Sequence, residues 1–80
     1  MSKSFNGHPN WNAWNIAMWM SSDEALYELA MMALRKGHGV PKATQIVMGL
    51  IGGESTPDGA VFCTNDVRRA LDGLKEHVRH

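Results

Sequence analysis

Four histidines, one cysteine and a few acidic side chains are the groups in this chain whose types could do chemistry. A zinc site needs four ligands in tetrahedral reach. His77-x-x-His80 with Cys63 and one further histidine supplies suitable atoms, but the spacing matches no zinc-finger pattern. Cys63 as a nucleophile would need an oriented histidine and surroundings that favour the thiolate; it reads instead as a buried structural thiol. The neighbouring carboxylates Asp23 and Glu24 read as helix capping, because they suit the positive end of a helix dipole. His8 has no carboxylate or cysteine at useful spacing and reads as a hydrogen-bonding loop residue. A phosphate-cradling loop needs several glycines leading into a helix with a lysine, and nothing here fits that pattern. The chain therefore carries no catalytic, cofactor or metal signature, and it reads as a non-enzyme.

The elements that must position these groups are more legible. The run Trp11-Asn12-Ala13-Trp14-Asn15-Ile16-Ala17-Met18-Trp19-Met20 holds all three tryptophans. At about 100° per residue, Trp11, Trp14 and Met18 share one face, with Trp19 at its margin. Such a helix is apolar nearly all round, so burial on more than one side is expected. Pro9 cannot continue it backwards and Asn10 is a good N-cap, giving a helix over roughly 10–20. The indoles read as core, or else one of them, Trp19 or Trp14, as an interface anchor. Asn15 lies between Trp11 and Trp19 on the wheel. If buried, its amide needs partners, expected from the segment 5–9 or from an indole N–H. Phe5 is expected to fold back on this helix.

Ser21 as N-cap with Glu24 three residues later makes a capping box. Leu26, Leu29, Ala30, Ala33 and Leu34 follow at helical spacing, Arg35 and Lys36 suit the C-terminal end, and Gly37 terminates a helix over roughly 22–36. Pro41 at the first helical position opens a third helix over roughly 41–50, with Ala43, Ile46, Val47 and Leu50 on its apolar face and Gly52-Gly53 as its end. Pro57-Asp58-Gly59 is a strong turn signal. Residues 60–63 form a short apolar, extended piece. Thr64 or Asn65 then caps a last helix over roughly 64–78, with Asp66 in its first turn and a stripe of Val67, Ala70, Leu71, Leu74 and Val78. The expected architecture is all-α: one small domain, residues 1–80, of four short helices.

Eighty residues make one domain, burying about 60% of its unfolded surface. Apolar residues at 44% are normal for a folded protein. Eight basic and eight acidic residues give a net charge of zero. That argues against a polyanionic DNA mimic and gives no global attraction to nucleic acid. A single cysteine excludes an internal disulfide and fits a reducing cytoplasm. No signal peptide is visible, and no apolar run approaches the ~20 residues of a membrane span. Five methionines fall in expected helices and read as gap-fillers.

Asn6-Gly7-His8…Trp11-Asn12-Ala13-Trp14-Asn15…Trp19, then Asp23-Glu24 and Leu26-Tyr27, then Thr56-Pro57-Asp58-Gly59-Ala60, together resemble a family of very small bacteriophage and prophage proteins. The resemblance covers most of the chain. It departs at Phe62, where the family usually has tyrosine, and in the length of the middle segment. It implies an accessory protein acting in the cytoplasm of a bacterial host. Small phage proteins of this size include anti-CRISPR proteins, other anti-defence inhibitors and small regulators.

Residues 40–74 also resemble the helix-turn-helix-like part of large serine recombinases, where a Thr-Pro-rich loop precedes a DNA-facing helix. That resemblance implies nucleic-acid contacts from Asn65, Arg68, Arg69, Lys75 and Arg79. Against it stand the long connection between the helices and the zero net charge. The first expectation is therefore an inhibitor that binds a host defence protein, most concretely an anti-CRISPR protein that docks on an effector complex and blocks DNA recruitment. Its expected contacts are Trp19, Tyr27, Arg35, Lys36, Arg68 and Arg69, combining aromatic anchors with neighbouring charges. The alternative is a small DNA-binding regulator using the C-terminal helix.

Overall fold

A computed structural model describes residues 8–77 as four helices. These are α1 (Trp11–Ser22), α2 (Glu24–Gly37), α3 (Val40–Ile51) and α4 (Thr64–Leu74), the last prolonged by one 3-10 turn, Lys75–His77. The all-α class and the four helices agree with the sequence. The expectations for Phe5, Val78, Arg79 and His80 lie outside the described residues.

Each helix packs on its neighbours in chain order, and α4 closes the set against α1. Ile16 and Met20 of α1 meet Ala30, Met31, Ala33 and Leu34 of α2, Ala43 and Val47 of α3, and Val67, Ala70, Leu71 and Leu74 of α4 in one core. Ala60 and Phe62 enter it from the loop before α4. Met20 and Met31 are buried there and Met48 packs against it, as gap-fillers should. Leu50, expected on the apolar face of α3, is instead 61% exposed.

The helix ends follow side-chain chemistry, with three departures from expectation. Asn10 caps α1, its Oδ1 accepting from Ala13 N at 2.9 Å. Ser21 is not the cap of α2. Its hydroxyl and that of Ser22 bond Met18 O inside α1. The single residue Asp23 serves both helices: its N–H bonds Trp19 O at 2.9 Å, and its Oδ2 accepts from Leu26 N at 3.0 Å. A carboxylate caps as well as a hydroxyl and adds charge at the dipole's positive end, so it wins the position.

Gly37 is the last residue of α2 rather than its terminator. His38 takes the left-handed conformation at φ 55°, and Gly39 follows at φ 148°. Gly37 is needed for another reason: a Cβ there would come within 2.7 Å of the backbone nitrogen of Ala43. The two helices meet that closely at the corner. Neither Thr64 nor Asn65 caps α4; the N-cap is Cys63, with no side-chain cap bond.

Candidate functional site

Among the described residues, the polar flank of α1 is the best-organised group of side chains. Asn12, Asn15 and Trp19 recur at i, i+3 and i+7, so they share one side of the helix. That side faces the loop of residues 52–63. Within the loop, Gly53 N bonds Phe62 O and Phe62 N bonds Glu54 O, while Ser55 and Val61 form an isolated antiparallel bridge. The tip is a tight turn with Pro57 and Asp58 at its centre. Gly59 N bonds Thr56 O at 2.9 Å, and Gly59 stands at φ 98°, where glycine is favoured.

Asn12 treats Val61 as a strand neighbour would. Its Oδ1 accepts from Val61 N at 3.0 Å, and its Nδ2 donates to Val61 O at 3.0 Å. The same Nδ2 donates to Asp66 Oδ2 at 2.6 Å, an oxygen that also accepts from Cys63 Sγ at 3.3 Å. One turn on, Asn15 is buried, yet fully paired. Its Nδ2 donates to Asp58 Oδ2 at 2.8 Å, and its Oδ1 accepts from Thr56 Oγ1 at 2.7 Å. Thr56 Oγ1 in turn accepts from Ala60 N at 3.1 Å. Trp19 Nε1 donates to the same Asp58 oxygen at 2.9 Å.

These bonds to its charged form, from Asn15 first and Trp19 second, hold the Asp58 carboxyl below the usual carboxylate range. Among the described residues, the partners of Asn15 thus come from the turn and not from an indole; residues 5–7 of the segment expected to supply them lie outside the described residues. The buried amide is the reason: it needs a donor and an acceptor at once, and Thr56 and Asp58 offer both. Asp58 and Thr56 looked like turn formers in the sequence. The signal that could have exposed them is the polar i, i+3, i+7 row on an otherwise apolar helix.

That arrangement orients α1. Ala13, Ile16 and Met20 point into the core, and the face carrying Trp11, Trp14 and Met18 lies opposite. No tryptophan belongs to the buried core, which corrects the reading of the indoles as core. Trp11 is 38% exposed, and Trp14, Met18 and Trp19 are half-buried.

The other flank of α1 borders an open cleft against α4, about 280 Å³ in volume. His8, Ser21, Arg69 and His77 supply its polar lining. Tyr27 Oη lies 3.3 Å from His77 Nδ1. Of the six residues expected to contact a partner, Tyr27 and Arg69 are thus gathered at this cleft through His77. Trp19 lies on the loop side. Arg35 and Lys36 are exposed in the last turn of α2, two turns of helix from Tyr27, and Arg68 is exposed on α4. They do not form one patch. Cys63, expected to be buried, is exposed. Among the described residues, no three His, Cys, Asp or Glu side chains are grouped to hold a metal ion, and no helix is long and apolar enough to cross a membrane.

Residues 1–77 match a family of unknown function, DUF7249, and the chain belongs to that family. No curated protein and no solved structure matches it.

Proposed function

We propose that this protein is a non-enzymatic, phage- or prophage-encoded inhibitor that binds a host defence protein, with the outer face of α1 at the centre of its docking surface. The most concrete form is an anti-CRISPR protein that sterically blocks DNA recruitment by an effector complex. The observation that carries the binding reading is the position of Trp11, 38% exposed, with Met18 beside it, opposite the core stripe of the same helix. Tryptophan is costly to leave in water and is enriched among the residues that dominate protein interfaces. Methionine beside it supplies an adaptable apolar surface. The defence target rests on the resemblance of the tryptophan-asparagine run and the Thr-Pro-Asp-Gly-Ala turn to small phage proteins.

A second reading uses α4. Arg68 and Arg69 are both exposed on it, as a phosphate-contacting helix would require. The net charge of zero weighs against it.

The test is a pull-down of the tagged chain from bacterial host lysate, with and without nuclease, read by mass spectrometry. The expected result is a stoichiometric defence protein that survives nuclease and is lost with the Trp11→Ala/Met18→Ala double variant. Both changed residues lie outside the core, so the variant keeps its helical circular dichroism. Alanine at Trp19, Tyr27, Arg35 and Lys36 then tests whether the contact extends beyond the outer face of α1. Nucleic acid recovered only without nuclease, and lost with Arg68→Ala/Arg69→Ala, would replace the inhibitor reading with the DNA-binding one.

A further inference from the structure

The cleft between α1 and α4 has the composition of a small anion site. Its apolar lining is Ala17, Ala70, Gly73 and Leu74, three of them small, which leaves room between the two helices. A Cβ at Gly73 would meet nothing within 4 Å. Around this apolar lining stand one guanidinium, two imidazoles and one hydroxyl, and no carboxylate is among the described lining residues. Arg69 makes no ion pair among the described residues, since the only pair they form is Lys75 with Asp72.

Both histidines line the cleft, and each has one ring nitrogen placed by its surroundings. Nδ1 of His8 is buried with no hydrogen-bond partner, an unpaired polar atom in the lining of this cleft. Nδ1 of His77 is taken by Tyr27 Oη, and the two rings sit 6.1 Å apart, centre to centre. That contact orients the imidazole at the edge of the cleft. A guanidinium with polar side chains beside it is a common way for a protein to hold a carboxylate or phosphate oxygen. The volume, about 280 Å³, falls just below the range of sites that enclose a drug-sized ligand. It suits a single oxyanion group with a short apolar stem rather than a cofactor.

We propose that the α1–α4 cleft is an oxyanion-binding site, held by Arg69 with His8, His77 and Ser21, for one phosphate or carboxylate group. The oxyanion comes either from a free small molecule or from an acidic side chain of a bound protein. The site borders the tryptophan face but is lined by none of its residues Trp11, Trp14 and Met18, and its existence does not depend on what that face docks.

The test is a pair of titrations of the full chain followed by ¹H–¹⁵N correlation spectra at constant ionic strength. Inorganic phosphate is the ligand in one, and N-acetylglutamate amide, a model of an acidic side chain, in the other. Saturable shifts confined to Ser21, Arg69, Ala70, Gly73 and His77 are expected in at least one series. Arg69→Gln removes the charge-assisted bonds and should raise the dissociation constant at least tenfold. Gly73→Leu fills the opening and should do the same while keeping the cation. Tighter binding of phosphate would assign a free anion; tighter binding of the acetylated residue would assign a protein side chain. Shifts that stay linear, spread equally to Arg35, Lys36 and Lys42, or survive Arg69→Gln in a variant with intact spectral dispersion would overturn the proposal.

Discussion

Trp19 and Asp58, thirty-nine positions apart, are joined by an indole N–H donated to a carboxylate oxygen at 2.9 Å. The amide of Asn15 reaches the same oxygen at 2.8 Å. Through these bonds the tryptophan-asparagine helix and the turn before α4 form one structural unit. The two most distinctive stretches of the sequence are the two halves of a single clamp. The clamp turns α1 about its axis so that its indoles lie outside the core.

Asn15 is the keystone of that clamp, and Asn15→Ala should destabilise the fold by about 2–3 kcal/mol. It leaves the buried Thr56 hydroxyl without its acceptor and frees the turn from α1. For a domain of this size, each kcal/mol lowers the melting temperature by about 4–8 °C. Asn15→Asp should cost more than alanine at neutral pH, because it sets a second carboxylate within hydrogen-bond distance of Asp58. Thermal melts of the three proteins decide this. Equal melting temperatures for wild type and Asn15→Ala would mean that the clamp carries no stability.

The depressed Asp58 carboxyl fixes the sign of an acid effect. A carboxylate whose folded pKa is below its unfolded value contributes stability that is present above the unfolded value, and it is lost as pH falls through the folded one. Wild type should therefore lose an increment of stability as pH drops below ~4. Asp58→Asn should lack that increment. Urea midpoints measured from neutral to strongly acidic pH should show the two proteins converging on acidification. A gap that stays constant across pH would refute the link.

Three glycines should respond to alanine in two opposite ways. Gly49 and Gly73 lie within helices, and a Cβ at either meets nothing within 4 Å. Each change should stabilise by about 0.5–1 kcal/mol, through reduced unfolded-chain freedom and better helix propensity. Gly37→Ala should destabilise, since its Cβ would press on the backbone of Ala43 at 2.7 Å. Denaturant midpoints for the three variants check the pattern, and a stabilised Gly37→Ala would contradict the close approach of α2 and α3.

Cys63 occupies the N-cap of α4 without a cap bond, and Asp66 stands at the third helical position. Serine at Cys63 keeps a donor to Asp66 and adds a stronger acceptor for the helix's free N–H groups. Cys63→Ser should raise stability by about 0.5–1 kcal/mol. The exposed thiol of the native chain should alkylate readily in the folded state, and quantitative mass spectrometry with iodoacetamide reads this. A protected thiol would mean that position 63 is covered in solution.

The amphipathic stripes of α2 and α4 were legible from spacing alone. Each carries apolar residues on one side only, so one orientation buries them. The start of α1 at Asn10, the turn at Pro57-Asp58-Gly59 and the end of α3 at Gly52 were legible for the same kind of reason. Each is a local preference of one or two residue types. The orientation of α1 was not legible in this way. Trp, Ile, Met and Ala are spread around its whole circumference, and hydrophobicity alone assigns no inner side. Only the tertiary structure decided it, because Asn12 and Asn15 need hydrogen-bond partners that local sequence does not supply. The loop 41 to 54 residues further on provides them. The cleft on the opposite flank is likewise a product of tertiary contact, since Ala17, Arg69 and Gly73 share a surface only once α4 closes against α1. The sequence by itself determined which segments become helices, but not which residues cap α2 and α4. The long-range pairing of buried polar groups decided which side of the central helix faces the core and which lies outside it.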